Sequence, residues 1–152
     1  MTESLLNKLT KSASNWSALA LRIPVGLIFM AHGAQKLFGW FGGYGLEATG
    51  QWMESIGLAP GYLMAMMAGS AEFFGGLFII FGLLTRPSAL VLGFTMLVAI
   101  VTTHLENGLF ISNNGYEFGL SLAAISFALM LQGGGRLSLD NLIAKRTQQV
   151  AG

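Results

Sequence analysis

Residues 62–84 read YLMAMMAGSAEFFGGLFIIFGLL, an apolar stretch that contains one charged side chain, that of Glu72. About 20 apolar residues in a helix are enough to cross the hydrocarbon core of a bilayer, which is ~30 Å thick. A carboxylate inside such a helix is costly unless it faces other helices rather than lipid. The stretch therefore predicts a membrane-spanning helix with a buried acidic group.

The composition of the whole chain agrees with a membrane protein. Of its 152 residues, 53% are hydrophobic and 10% are charged, whereas soluble domains carry about 25% charged residues. A formal net charge of +1 provides no basic surface for nucleic acid. The chain has no cysteine, which excludes disulfides, thiolate metal sites and a cysteine nucleophile.

Four apolar segments divide the chain, and we interpret residues 1–152 as one membrane domain. Their continuous hydrophobicity indicates helices rather than alternating strands, so the predicted fold class is all-α, a bundle of four transmembrane helices. The first segment contains Arg22 and lacks a small-residue cleavage site, so we expect it to remain as a span. The spans are predicted at about 16–38, 62–84, 87–105 and 115–131, followed by a tail at 133–152. Because the last span is short, it could begin earlier, towards Ile111.

The first connection is predicted to contain a short interfacial helix. Residues 46–56 place Trp52, Met53 and Ile56 on one side and acidic side chains elsewhere, and Pro60 disfavours helix at the residue before it. Such a helix could pack against the bundle or form a lid over a site. The sequence leaves both alternatives open.

Charges in the connections predict the orientation, because Lys and Arg favour the cytoplasmic side. The connections after the first and third spans carry acidic residues and no base. Both termini are therefore expected in the cytoplasm. The bases lie in the two tails and in the turn after the second span: Lys8, Lys11, Arg86, Arg136, Lys145 and Arg146.

Ionisable side chains within the spans are the candidate functional residues, because such groups are expensive in lipid and usually face the bundle interior. At a rise of about 1.5 Å per residue, most of them fall in the outer half of the bundle and one lies roughly 8 Å from the inner surface. The outer group is His32, Lys36, Glu72, His104 and Glu117, and the inner residue is Arg22.

Small residues accompany these groups on three helical faces and indicate close helix packing. The faces are Arg22, Gly26, Phe29, Gly33 and Lys36 in the first span, Ala65, Gly69, Glu72 and Gly76 in the second, and Glu117, Ser121, Ala124 and Ala128 in the fourth. We expect neighbouring helices to cover all three.

Each candidate also has a structural interpretation. Glu72 could be paired or protonated in the core, the two histidines could hydrogen-bond within the bundle, and Glu117 could stabilise a helix start. Arg22 and Lys36 could extend towards the two surfaces. No metal site is predicted, because the Glu-x-x-His pairs of di-iron bundles are missing.

Several of these residues resemble the pattern of the DoxX family of small four-helix bacterial membrane proteins. The similarity runs from about Leu21 to Asp140 and rests on the order of short motifs rather than on any one of them. The motifs are Arg22-Ile23-Pro24-Val25-Gly26, His32-Gly33, Lys36-Leu37-Phe38-Gly39, Glu72-Phe73-Phe74-Gly75-Gly76, Gly82-Leu83-Leu84-Thr85-Arg86, His104 followed by Glu117, and Gly133-Gly134-Gly135-Arg136-Leu137-Ser138-Leu139-Asp140.

The resemblance implies a multi-pass protein of the bacterial inner membrane. The family takes its name from a subunit of a thiosulfate:quinone oxidoreductase, and other members associate with redox-defence proteins. We therefore expect a subunit that supports a quinone-linked process, with no self-contained catalytic motif of its own. The lack of cysteine means that redox chemistry would need a quinone, a bound cofactor or a partner protein.

In that interpretation Glu72 and His32 handle protons as a pair, while Lys36, His104, Glu117 and Arg22 bind the ligand. The expected partners are the lipid bilayer, a quinone, a redox protein and further subunits, identical or different, but no nucleic acid. Two other classes remain open, a proton-coupled transporter of small solutes, which would use a mid-span Glu, and a non-catalytic structural or assembly subunit.

Overall fold

The computed structural model describes residues 16–150, and Lys8 and Lys11, which contributed to the predicted orientation, lie outside them. In that range the chain is built from helices and turns, with no strand. The helices are α1 (Ser17–Phe38), α2 (Gly45–Ser55), α3 (Gly61–Phe81), α4 (Thr85–Ala99), α5 (Glu117–Gln132) and α6 (Leu139–Val150).

Three helices are long and apolar enough to cross a membrane, and a fourth is apolar but shorter. The long ones are α1, α3 and the continuous helical segment Thr85–Asn107, in which α4 continues into a π-helical turn at Ile100–His104 and a 3-10 turn. Helix α5 has 16 residues, which correspond to about 24 Å. The predicted all-helical membrane bundle is confirmed, and α5 is the shortest of its four membrane helices.

The expected extension of the fourth span towards Ile111 is wrong. Residues Ile111–Asn113 form a separate 3-10 turn, and Asn114 adopts a left-handed conformation with φ 59°. The chain therefore changes direction before α5 begins at Glu117.

Helices α1 and α3 run in opposite directions, so the bundle has two distinct ends. We call the end at which α1 stops the Lys36 end, and we call the opposite end the Arg22 end.

The bundle core forms where α1 packs on α3 and α4 packs on α5. Large apolar side chains from all four helices meet there with less than 2% of their surface exposed: Phe29, Ile79, Leu92 and Leu129. Burial of such side chains contributes about 1.5–3 kcal/mol each to the stability of a soluble protein. In lipid, close packing rather than water exclusion supplies most of the association energy.

The predicted faces of α1 and α3 are confirmed, and that of α5 is wrong. Ala65, Gly69, Glu72 and Gly76 are all buried on α3. On α5, by contrast, Ser121, Ala124 and Ala128 are exposed. The buried face of α5 consists of Leu122, Ala123, Ser126 and Leu129.

The predicted interfacial helix is α2, and it packs against the first turns of α3. The backbone N–H of Gly61 donates a hydrogen bond of 3.3 Å to Oε2 of Glu54, and a Cβ atom at Gly50 would come within 2.8 Å of Cα of Tyr62. Met53 is buried, whereas Trp52 and Ile56 are exposed. Part of the apolar side predicted for α2 is therefore available to the membrane surface.

Candidate functional site

The site is positioned by the close approach of α1 and α3. A Cβ atom added to Gly76 would lie 2.6 Å from the backbone nitrogen of Met30 and 2.7 Å from the oxygen of Gly26. Such distances leave no room for a side chain at this contact. The glycines thus bring two helical backbones together, which lets polar groups from both helices meet near the Lys36 end.

The polar groups that meet are Lys36 and Glu72. Nζ of Lys36 lies 2.6 Å from Oε2 of Glu72, with 25% of the lysine side chain and 3% of the glutamate side chain exposed. The lysine reaches the buried carboxylate from the last turn of α1, while its flexible stem packs beside Gly69. The ion-pair partner of Glu72 is therefore Lys36 rather than His32, the residue with which Glu72 was predicted to handle protons.

His32 lies one turn before Lys36 and is exposed. It lies close enough to both Lys36 and Glu72 for their charges to act on it. Its ring centroid is 6.3 Å from that of Phe118, at the start of α5. The imidazole is thus an accessible group next to a shielded ion pair, with an aromatic ring beside it.

Gln35, a polar residue of the first span to which the sequence analysis gave no role, links α1 to the first connection. Its Nε2 donates a hydrogen bond of 3.3 Å to the backbone oxygen of Phe41, and Gly43 packs so closely on its backbone that a Cβ atom there would meet Cβ of Gln35 at 2.5 Å. Its place in the sequence between His32 and Lys36 was the available signal. We call His32, Gln35, Lys36 and Glu72 the α1–α3 polar cluster.

His104 and Glu117 lie outside the α1–α3 polar cluster and organise the connection before α5. Nδ1 of His104 is 2.8 Å from the oxygen of Asn114, and Oε1 of Glu117 accepts a hydrogen bond of 2.6 Å from the backbone N–H of Ile111. Within residues 16–150, no hydrogen bond or ion pair joins either residue to the cluster. Their observed contacts are with the connection itself.

Arg22 occupies the opposite end of the bundle. It is buried and donates hydrogen bonds from its guanidinium to the backbone oxygens of Ile80, at 3.2 Å, and Leu137. It also interacts electrostatically with Asp140. The structure thus places Arg22 at a junction between α1, the end of α3 and the segment before α6.

Asp140 is the buried ionisable group that the sequence reasoning did not identify as a site residue. Its carboxylate accepts hydrogen bonds from the backbone N–H groups of Leu84 at 2.7 Å and Thr85 at 2.8 Å. These are free donors at the start of α4, where a negative charge is favourable. No local pattern around Asp140 indicates that it caps a helix that starts 55 residues earlier in the chain.

Among the described residues, no group of three or more His, Cys, Asp or Glu side chains could hold a metal ion. The α1–α3 polar cluster instead offers proton and hydrogen-bond chemistry. An accessible imidazole can exchange a proton with its surroundings, and a lysine beside a carboxylate keeps the buried charges balanced. The arrangement can bind a polar group of a ligand and exchange a proton with that group.

Comparison with known proteins identifies the family to which this chain belongs. The family model described as DoxX matches residues 17–105. The chain is 35% identical over 127 residues to the Bacillus subtilis (strain 168) protein named "Putative oxidoreductase CatD", covering 84% of this chain and 87% of that one. It is 31% identical over 137 residues to inner membrane protein YqjF of Escherichia coli (strain K12), covering 90% and 98%.

A third relative is the membrane protein Rv3486 of Mycobacterium tuberculosis, 33% identical over 141 residues, with 86% of this chain and 83% of that one covered. No solved structure matches the chain. The membrane-spanning helices, the family match and the inner-membrane relatives support a location in the bacterial inner membrane. The chain belongs to the DoxX family.

Proposed function

We propose that this protein supports a quinone-linked redox process in the inner membrane, with the α1–α3 polar cluster as its ligand site. The observation that carries the proposal is the buried ion pair of Lys36 and Glu72 next to the exposed imidazole of His32. Reduction of a quinone to a quinol takes up two electrons and two protons. A site for it therefore needs proton-active groups that a lipid-soluble molecule can reach.

Each residue of the cluster has a role in this proposal. The His32 imidazole donates a hydrogen bond or proton to a quinone carbonyl oxygen. Lys36 stabilises negative charge that develops on that oxygen, and Glu72 balances the charge of the lysine. After the imidazole has given up its proton, Glu72 takes up a proton from water and relays it to the imidazole, and two protons pass in this way for each quinone that is reduced. The ring of Phe118 beside His32 offers a flat apolar surface for a planar ligand.

The electrons must come from outside this chain, because it contains no cysteine to undergo thiol oxidation. We therefore include a partner redox protein that supplies two electrons per quinone. The name of the Bacillus subtilis relative includes the word oxidoreductase, and that supports a redox process over simple transport. The Lys36 end is proposed to face the outside, with both termini in the cytoplasm, on the basis of the loop charges.

His104, Glu117 and Arg22 have a smaller part in this function than their sequence positions suggested. His104 and Glu117 support the connection that leads to Phe118, so they would influence the ligand site through that ring. Arg22 would stabilise the opposite end of the bundle. None of the three is proposed to touch the quinone.

Mass spectrometry of gently purified protein tests the proposal. We expect quinone to be retained by the parent above its level in the surrounding lipid, and to be lost in His32→Leu. Glu47→Gln, which changes an exposed carboxylate on α2, is the control and should retain quinone. No enrichment in the parent would contradict the proposal. Proton-gradient-dependent uptake of a solute would then indicate a transporter, and a stable partner without either property would indicate a structural subunit.

A further inference from the structure

Helix α6 begins at the level at which two spans leave the membrane. The backbone N–H of Asp140 donates a hydrogen bond of 2.9 Å to the oxygen of Gly82, which lies in the turn between α3 and α4. The Asp140 carboxylate binds the first N–H groups of α4 in return. Both helices belong to segments long enough to cross a membrane. The start of α6 is therefore held at the boundary between lipid and water.

One face of α6 is turned away from the bundle. Side chains three or four positions apart lie next to each other on a helix, and four exposed side chains of α6 follow this spacing: Leu139, Leu142, Arg146 and Gln149. Lys145 is exposed beside them, whereas Asp140, on another side of the helix, is buried. Leucines next to bases are typical of helices that lie in the interface of a membrane.

The exposed charge at the Arg22 end is positive. Arg136, Lys145 and Arg146 are exposed there. Among residues 16–150, Asp140 is the one acid at this end, and its carboxylate is buried and bonded to backbone N–H groups. The other described acids lie on α2, within α3 and around the connection before α5. The surface is therefore complementary in charge to anionic headgroups, which attract bases next to a membrane.

Trp16 and Arg136 add to this surface at the start of α1. The Trp16 side chain is 56% exposed, and Cζ of Arg136 lies 5.7 Å from the centroid of its ring. Tryptophan is enriched at the level of the headgroups because its ring is apolar and its N–H is polar. A guanidinium over such a ring is stabilised by a cation–π interaction. The pair thus indicates the same boundary as α6 does.

We propose that the exposed face of α6, together with Arg136 and Trp16, binds anionic phospholipid in the leaflet at the Arg22 end. The leucines enter the boundary between headgroups and acyl chains, while Lys145 and Arg146 extend to the phosphate groups. Bound lipid holds α6 on the membrane and supports the α3–α4 turn through Asp140. The α1–α3 polar cluster lies near the other end, so this inference does not depend on the quinone proposal.

The chain has no cysteine, so a single introduced thiol can carry a unique label. In Gln149→Cys a fluorescent dye is attached to the exposed face of α6. The full-length protein is placed in nanodiscs of phosphatidylcholine, with or without phosphatidylglycerol, and an equal small fraction of nitroxide-bearing lipid quenches any dye that contacts the membrane. We expect stronger quenching with phosphatidylglycerol. This difference should disappear in about 1 M salt, where the Debye length falls to ~3 Å.

Substitutions of the bases test the charge. One base at an anionic membrane surface strengthens adsorption about fivefold, so Lys145→Gln and Arg146→Gln should each lower the ratio of adsorbed to free α6 by about that factor. Arg136→Gln should lower it as well. Glu106→Gln, which changes one exposed charge at the Lys36 end, is the control and should leave the quenching unchanged.

Three results would overturn the proposal. Equal quenching of the parent in the two lipids would show that the face does not distinguish anionic headgroups. Quenching in neither lipid would show that it faces water or another protein. Base variants that are quenched as strongly as the parent would show that the bases do not bind the lipid. Both leaflets of a nanodisc have the same composition, so none of these results depends on the orientation of the chain.

Discussion

Arg22 and Asp140 interact across the Arg22 end of the bundle, and each binds a helix end of the opposite polarity. Arg22 donates to the oxygen of Ile80, in the last turn of α3, whereas Asp140 accepts from the N–H groups at the start of α4. A cation is favourable at a helix C-terminus and an anion at an N-terminus. The two charges therefore hold the α3–α4 turn between α1 and α6.

We predict that Asp140→Ala destabilises the protein strongly. Removal of this buried carboxylate leaves the backbone N–H groups of Leu84 and Thr85 without their acceptor, and each buried donor left unsatisfied costs about 1–3 kcal/mol. Thermal unfolding in detergent measures the effect. Glu106→Ala, at an exposed position, is the control and should change stability little. Equal stability of the two variants would show that the junction is not important for the fold.

The second prediction concerns the contact between α1 and α3. Gly76→Ala should lower stability, because its Cβ atom would lie 2.6 and 2.7 Å from backbone atoms of α1. The clash can be relieved only if the two helices move apart. Gly76→Leu should prevent assembly. Overpacking of this kind costs about 1–3 kcal/mol in soluble proteins.

Two controls accompany the glycine variants. At Gly119 an added Cβ would meet a flexible side-chain atom of Ile100, at 3.1 Å, so Gly119→Ala should be tolerated better than Gly76→Ala. Phe94 is 64% exposed, and Phe94→Leu should matter little. If all four variants unfold at one temperature in detergent, the α1–α3 contact does not depend on its glycines.

How well the sequence predicted these contacts depended on the helix. On α1 and α3 glycines recur at helical spacing beside the ionisable groups, at Gly26, Gly33, Gly69 and Gly76, so spacing identified the contact. On α5 small residues occur on both faces, for example Ala123 and Ala124, and composition could not distinguish them. Leu122 and Leu129 decide the buried face because they fill the core.

The candidate site was predicted less completely than the fold. Helical rise gives the depth of a Cα atom, but a lysine side chain extends far from its own Cα atom. The position of Lys36 on α1 therefore did not show that its side chain reaches Glu72. His104 and Glu117 were expected in the same cluster because their depths agree. Their actual partners are backbone groups of an irregular connection, whose path periodicity does not predict.

A third prediction concerns the stability of the Lys36–Glu72 pair. Lys36→Met leaves a carboxylate that is only 3% exposed without a partner, so it should cost about 3–5 kcal/mol. Glu72→Gln leaves a lysine that can extend towards the surface and should cost less. The double variant should be more stable than the two single effects added together. Additive effects in a double-mutant cycle, measured by thermal unfolding, would show that the pair contributes no coupling energy.

The fourth prediction is the orientation. Reporter fusions after Gly45 and after Asn113 should report the outside, because those connections carry acidic residues and no base. Fusions at Arg86 and at the C-terminus should report the cytoplasm. A cytoplasmic signal after Gly45 would reverse the orientation and move the α1–α3 polar cluster to the other leaflet.

The last prediction separates function from stability at Glu72. Glu72→Gln keeps the shape of the side chain and an oxygen that can accept a hydrogen bond from Lys36, but it cannot take up or release a proton. We therefore expect membrane insertion and thermal stability to change little, while quinone retention and complementation of a deletion strain are lost. Glu72→Ala should impair stability as well, because it also leaves a cavity beside the close contact of α1 and α3.

The control for this prediction is Glu47→Gln, which replaces an exposed carboxylate on α2 and should complement fully. If Glu72→Gln complements as well as the parent does, the carboxylate acts only in packing and pairing, and the structural-subunit interpretation takes the place of the redox one.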